Sequence, residues 1–365
     1  MIRPAPAIEA IPATTPFVGP EQLMRETGAR ELVRLGANES PFGPSPKALA
    51  AMGAQLGRLG WYGDPESLDL RDALARKHCC APDQIVVGSG IDDVMGLAVR
   101  AFVPPGGGVL TTRGTYPTLN YHAIGYGANL LLAEYLPDGT PDLAALLDIA
   151  QRERPSLVYL ANPDNPSGRF IRRDEIARFY EALPTDVLLL LDEAYADFVS
   201  EADLLPAHFE SRLIRMRTFS KAYGMAGARI GYGLTDAANV QTFQKIRLHY
   251  GINRNAQVGA LASLDDDDFR DWVVVETAKA RADYYALASE LDCAFIESCT
   301  NFVCIDMRHA ARATAVMNDL LTRGVWIRKP GAPPLDRFVR VSVGTRPMRR
   351  AFADALRAVV GEVPA

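Results

Sequence analysis

The chain has 365 residues, 48% hydrophobic and 23% charged, with 39 basic against 44 acidic residues and a formal net charge of −5. That size buries a large core and predicts roughly two domains, and with no basic tail or Lys/Arg stripe, nucleic acid is not an expected partner. No apolar run approaches the ~18 residues of a membrane helix, and prolines at 4, 6, 12, 16 and 20 break any signal-peptide core, so the composition predicts a soluble enzyme.

The stretch up to Leu35 is proline-rich and then helical in pattern, an arm rather than a domain. From about 45 onwards short β-rich runs alternate with helical patterns. Strands are predicted at Gln84–Val87, Gly108–Thr112, Leu130–Tyr135, Ser156–Leu160, Val187–Leu191, Leu213–Arg217 and Ile230–Gly233. Helices are predicted at Leu68–Lys77, Asp93–Phe102, Asp142–Glu153 and Arg173–Ala182. Such alternation predicts an α/β domain with a mostly parallel sheet, and the wholly apolar Val187–Leu191 fits a strand covered on both faces. After about Asn255 a long helical pattern, interrupted at Asp265–Asp268, runs to Leu291. Strands at Phe302–Asp306, Val325–Arg328 and Val339–Val343 follow, with helices at 310–323 and 347–360. The expected organisation is an arm over 1–44, a large domain over 45–254 and a small α+β domain over 255–365.

The cysteines at 79, 80, 293, 299 and 304 form no Cys-x-x-Cys pair, and the five histidines stand singly. Neither spacing favours a zinc site or a disulfide framework, so no metal is expected and the thiols read as reduced, in the cytoplasm. The four-aspartate run reads as a solvated helix start favoured by the dipole.

Three segments carry chemistry, each at the expected C-terminal end of a buried strand, where open α/β sheets place ligands. Val87-Gly-Ser-Gly-Ile-Asp-Asp93 is a glycine turn opening a helix, either an anion cradle or a plain tight turn. Asp192 ends an apolar strand, where a charge needs a cationic partner, though a helix cap or a structural ion pair would also explain it. Lys221, the only lysine between residues 78 and 244 in a chain of six lysines, follows a predicted strand among small residues. It is either a Schiff-base lysine or a surface lysine. Arg229 lies eight residues further on and could return to the same anion. Together, an anion cradle, a buried carboxylate and a lysine are what pyridoxal phosphate requires: an amine for its aldehyde, a carboxylate for its ring nitrogen, and N–H groups with an arginine for its phosphate.

Asn162-Pro-Asp-Asn-Pro-Ser-Gly168, Asp192-Glu-Ala-Tyr195, Ser220-Lys221 and Arg229 together resemble the fold-type-I pyridoxal-phosphate aminotransferases. Gly36-Ala-Asn-Glu-Ser-Pro-Phe-Gly-Pro44, Tyr62-Gly-Asp-Pro65 and Arg340-Val-Ser-Val-Gly-Thr-Arg346 resemble the histidinol-phosphate aminotransferase branch. The resemblance implies a large domain built on a mostly parallel seven-stranded sheet flanked by helices, plus a smaller α+β domain. It makes Lys221 the amine that links to the cofactor, Asp192 the partner of the ring nitrogen, and Asn165 and Tyr195 the partners of the 3′-oxygen. Tyr116 would stack on the ring, while Gly90, Ile91, Asp92, Ser220 and Arg229 surround the phosphate. Tyr62 would reach the phosphate of a neighbouring subunit, implying a homodimer with shared sites. Arg340, Arg328 and Asn38 would meet the substrates, an amino donor (L-histidinol phosphate first) and a 2-oxo acid. An aromatic or other amino-acid aminotransferase, or a decarboxylase of a phosphorylated amino acid, is the alternative. Three positions depart from the pattern: Phe17 where a tyrosine is usual, Asp164 in place of an asparagine, and His249 before Tyr250.

Overall fold

A computed structural model describes residues 2–9, 11, 18–206 and 210–362. A two-residue strand, β1 (Val33–Arg34), precedes the central sheet. That sheet contains β2 (Ile85–Gly88), β3 (Gly108–Thr112), β4 (Asn129–Ala133), β5 (Leu157–Ala161), β6 (Leu188–Asp192), β7 (Leu213–Thr218) and β8 (Gly231–Leu234). Its order is β2-β8-β7-β6-β5-β3-β4. All pairings from β4 to β7 are parallel, and β8 alone runs against its neighbours. This is the mostly parallel seven-stranded sheet that the resemblance implies.

Side-chain alternation explains the apolar strands. Leu188 and Leu190 of β6 join one core with Leu157 and Tyr159 of β5, under the helix Ile91–Phe102. Leu189 and Leu191 join a second core on the other face, with Val158, Leu160 and the helix Arg173–Ala182. Two buried faces leave no polar alternation to see. Helix starts follow capping chemistry. The Asp142 carboxylate accepts Ala145 N–H at 3.0 Å ahead of the helix Leu143–Glu153, and Asn253 accepts Ala256 N–H at 2.8 Å ahead of Arg254–Leu264. Ala256 and Ala260 of that last helix pack with Leu70, Ile85 and Tyr232.

The remaining strands are β9 (Phe295–Ile296), β10 (Phe302–Asp306), β11 (Val325–Trp326) and β12 (Phe338–Ser342). β12, β10 and β9 form an antiparallel sheet, and β1 pairs in parallel with β11. Val339 and Val341 of β12 enter a core with Val303, Ile305, Leu35 and Phe352. Arg340 and Ser342 therefore face the other way, toward the central sheet.

Most strand ends lie within one residue of expectation, and two stop two residues short of it. β4 stops at Ala133, not Tyr135, because its parallel partner β3 ends at Thr112, and Tyr135 instead bridges Pro141 across a turn. β11 ends at Trp326, and Arg328 rejoins β12 only through an isolated bridge to Arg340. The aspartate run opens the helix Asp267–Glu290, with Lys47 3.5 Å from Asp266 and Lys77 3.9 Å from Asp267. All five cysteines are free, Cys79 being exposed. No helix among the described residues is long and apolar enough to cross a membrane.

Candidate active site

The strand directions bring the singled-out segments to one edge of the sheet. Asp192, the last residue of β6, is level with Ala161 of β5 and Met216 of β7, while Gly88 of β2 and Thr218 of β7 both sit opposite Gly231 of β8. The chain thus leaves β2 into Gly90, β5 into Asn165 and β7 into Lys221, and enters β8 just after Arg229. A cavity of about 330 Å³ opens there, lined by Ile91, Asp92, Tyr116, Asn165, Asp192, Tyr195, Ser220, Lys221 and Arg229 among others. A second chamber of about 520 Å³ shares Tyr116, Asn165, Tyr195 and Lys221, and adds Asn38, Asn120, Arg328, Lys329 and Arg340.

Asp192 follows Leu188 and Leu190 on the face that also carries Tyr159. Its carboxylate accepts the Tyr159 hydroxyl at 2.7 Å and Ala194 N–H at 2.9 Å, neither of them a cation. Burial pushes its pKa up to about 6 against those two bonds. The neighbouring Glu193 turns to the opposite face, where Arg215 and Arg217 meet it at 2.8 and 2.9 Å. Of two consecutive acids, one is neutralised by two arginines and the other faces the cavity without a salt-bridge partner among the described residues, Lys221 acting on it only at longer range.

Lys221 Nζ donates to the Asn38 carbonyl at 3.0 Å and lies 5.5 Å from the Tyr195 ring centre. Burial first, and Arg340 second, lower its pKa to about 8. Tyr195 is 3% exposed, and its hydroxyl accepts from Asn38 Nδ2 at 3.0 Å.

Gly90 caps the helix Ile91–Phe102 at φ +80°, and a Cβ there would lie 2.5 Å from Arg229 Nη2. Only glycine allows both the left-handed turn and the close guanidinium. The first-turn N–H groups of that helix lack intrahelical partners and favour an anion. Asp92, in that turn, lies 3.3 Å from Arg229 Nη2 and accepts the Tyr116 hydroxyl at 3.0 Å. The Ser220 hydroxyl accepts from Thr218 Oγ1 at 2.9 Å.

In the second chamber Arg340 Nη1 donates to Asn165 Oδ1 at 2.5 Å, while its Nε is buried with no hydrogen-bond partner among the described residues. Arg328 donates to the Val18 carbonyl at 3.0 Å and stacks over Trp326 at 5.3 Å. Tyr62 lines neither chamber; it is 75% exposed and stacks on Tyr250 at 4.5 Å. Phe17 lies outside the described residues. The sequence reading missed Tyr159, Ser342 and Asn120. The first two were detectable as polar residues at alternate positions of apolar strands, and Asn120 carried no signal.

These residues fit pyridoxal phosphate. The glycine that brings Arg229 to a helix start suits a phosphate, and Asp192, buried without a salt bridge, suits a protonated ring nitrogen. A lysine with a lowered pKa suits an aldehyde.

The aminotransferase class I and II family matches residues 30–356. The histidinol-phosphate aminotransferase of Sinorhizobium meliloti, solved in complex with pyridoxal 5′-phosphate, is 41% identical with a TM-score of 0.95, over 99% of this chain and 98% of that one. The chain belongs to the class I and II aminotransferases, in the histidinol-phosphate aminotransferase branch. The histidinol-phosphate aminotransferases of Roseiflexus castenholzii and Desulfotalea psychrophila are 34% and 32% identical, covering 97% and 96% of this chain and 97% and 93% of theirs. This aminotransferase is a pyridoxal-phosphate-dependent enzyme with the fold-type-I architecture.

Proposed function

We propose that this aminotransferase moves the amino group of L-histidinol phosphate to 2-oxoglutarate, forming glutamate. The observation that carries the reading is the second chamber: Arg328, Lys329 and Arg340 line it beside Lys221, and none of the described residues lining it is a carboxylate. Two anionic guests must use that chamber in turn, a phosphate monoester and a dicarboxylic acid. Guanidinium forks accept both with bidentate geometry.

In this reading Lys221 Nζ is the amine for the cofactor aldehyde, Asp192 the partner of the ring nitrogen, and Asn165 and Tyr195 the partners of the 3′-oxygen. Tyr116 stacks on the ring. Gly90, Ile91, Asp92, Ser220 and Arg229 hold the phosphate, joined by Tyr62 from a second copy. Bound pyridoxal phosphate supplies an electron-withdrawing ring that takes up the charge left when the substrate Cα loses its proton. With the cofactor bound, Lys221 Nζ would accept that proton, and its pKa, lowered to about 8, makes the neutral form this needs far more accessible than for an ordinary lysine. Asp192, ionised, keeps the ring nitrogen protonated, and a cation there relieves the burial that raises its pKa. Arg340 Nε, without a partner among the described residues, is placed to receive the phosphate of the donor or a carboxylate of the 2-oxo acid, with Asn38 and Arg328 beside it.

The same reading includes a homodimer and the division into arm 1–44, large domain 45–254 and small domain 255–365. Leu56, Leu59, Trp61, Tyr62, Leu248 and Tyr250 are each more than half exposed, and two nearby segments supply them. Such apolar exposure favours burial against a second copy. Five free thiols favour the cytoplasm, which fractionation of cells would check.

Comparing kcat/KM for histidinol phosphate, phenylalanine, tyrosine and glutamate as amino donors tests the substrate. Histidinol phosphate should exceed phenylalanine by about tenfold or more, since one charge-assisted contact contributes roughly 1.5–3 kcal/mol. Phenylalanine as the better donor would leave the aminotransferase class standing and remove this substrate.

A further inference from the structure

Ser342 stands two residues beyond Arg340, on the same face of β12, and is 2% exposed. Its hydroxyl oxygen accepts Asn38 N–H at 2.8 Å and donates to Asn38 Oδ1 at 3.0 Å. These two bonds fix the Asn38 amide. The backbone N–H takes one lone pair of the hydroxyl, and for the buried hydroxyl proton the acceptor among the described residues is the amide oxygen, which turns the amide nitrogen the other way. Asn38 Nδ2 accordingly donates to the Tyr195 hydroxyl oxygen at 3.0 Å. A hydroxyl that accepts from Asn38 turns its own proton elsewhere, and Tyr195 lines the cofactor cavity. The linking residue is itself immobilised. Asn38 is 3% exposed in the left-handed region at φ +53°, and its carbonyl accepts from Lys221 Nζ at 3.0 Å and Asn301 Nδ2 at 2.9 Å.

We propose that Ser342 is a positioning residue: by orienting the Asn38 amide it makes Tyr195 a hydrogen-bond donor to the 3′-oxygen of pyridoxal phosphate. The proposal rests on the reading above that Tyr195 serves that oxygen. Burial keeps the phenol protonated, its pKa raised from the ordinary value, so it stays a donor across the working range. A donor at the 3′-oxygen stabilises negative charge there, which lowers the pH at which the lysine-linked cofactor releases its proton. Without the Ser342 hydroxyl the amide turns over, and Tyr195 donates to Asn38 Oδ1 instead of to the cofactor.

The test is a pH titration of the visible absorbance of the cofactor-loaded protein, comparing wild type with Ser342→Ala, Ser342→Thr and Ser342→Cys. The Ala variant should titrate about one pH unit higher, the equivalent of one modest hydrogen bond to a charged atom. The Thr variant keeps the hydroxyl and should titrate with the wild type. The near-isosteric Cys variant, a weak donor, should move in the direction of Ala, and it decides the matter if the Ala variant does not take up cofactor. A wild-type midpoint in the Ala or Cys variant, accompanied only by a lower Tm, overturns the proposal and makes Ser342 a packing residue. A Tyr195→Phe midpoint equal to wild type would instead remove Tyr195 from the 3′-oxygen, and the role of Ser342 with it.

Discussion

Asp192 carries a charge in surroundings that disfavour one, and that conflict is measurable. Its folded pKa of about 6 lies above the ordinary 3.8, so between those values the folded chain binds more protons than the unfolded one. Stability then falls as pH rises through that window. In cofactor-free protein, the stability of wild type relative to Asp192→Asn should therefore increase between pH 6 and pH 4, read by denaturant titration at both values. Parallel pH dependences would contradict a buried carboxylate without a salt bridge. In loaded protein the same variant should lose on the order of 10² in kcat, as when one preorganised electrostatic partner is removed. Asp192 and Lys221 were legible in the sequence because a charge ending an apolar strand and a lone lysine stand out against their neighbours. The polar positions of Tyr159 and Ser342 were detectable too, but not what they touch, because their partners Asp192 and Asn38 lie 33 and 304 residues away.

At the scale of elements, alternation along β6 and β7 decides which acid faces the cavity. Arg215 and Arg217, two apart on β7, meet Glu193 on the far face from Asp192. Burial would raise the Glu193 pKa, but the two guanidinium groups outweigh it and hold it below the ordinary value. Glu193→Gln leaves Arg215, 3% exposed, without its carboxylate partner, and leaves Arg217, 6% exposed, with Glu201 at 3.4 Å in place of a buried carboxylate. It should destabilise the fold by about 3–5 kcal/mol, measured as a lower guanidinium midpoint; a change under about 1 kcal/mol, typical of surface pairs, would contradict that role. The central strands could be read from the sequence because their apolar runs are long. The two-residue strands β1 and β9 were invisible, since so short a pairing leaves no periodicity. The edges of β4 and β11 shifted because pairing partners, not local propensity, set where a strand ends.

For the whole molecule, the proposed dimer makes Tyr62 the link between assembly and cofactor binding. It lies outside its own chain's chambers, within the exposed apolar surface that includes Trp61 and Tyr250. The protein should sediment as a dimer at micromolar concentration, and Tyr62→Phe should weaken cofactor affinity by about tenfold, the loss of one hydrogen bond to a charged group. A monomer that holds cofactor at full strength would contradict the shared site. The sheet edge itself gathers Gly90, Asn165, Asp192, Lys221 and Arg229 from five separate strand ends, so everything depends on which amine the cofactor joins. Borohydride reduction of the loaded protein, followed by peptide mass mapping, reads this directly, because it converts the lysine linkage into a stable bond. The pyridoxyl group should appear on the peptide containing Lys221 and nowhere else. Label on Lys329 or another lysine, or no label on a protein that retains cofactor, would contradict the assignment.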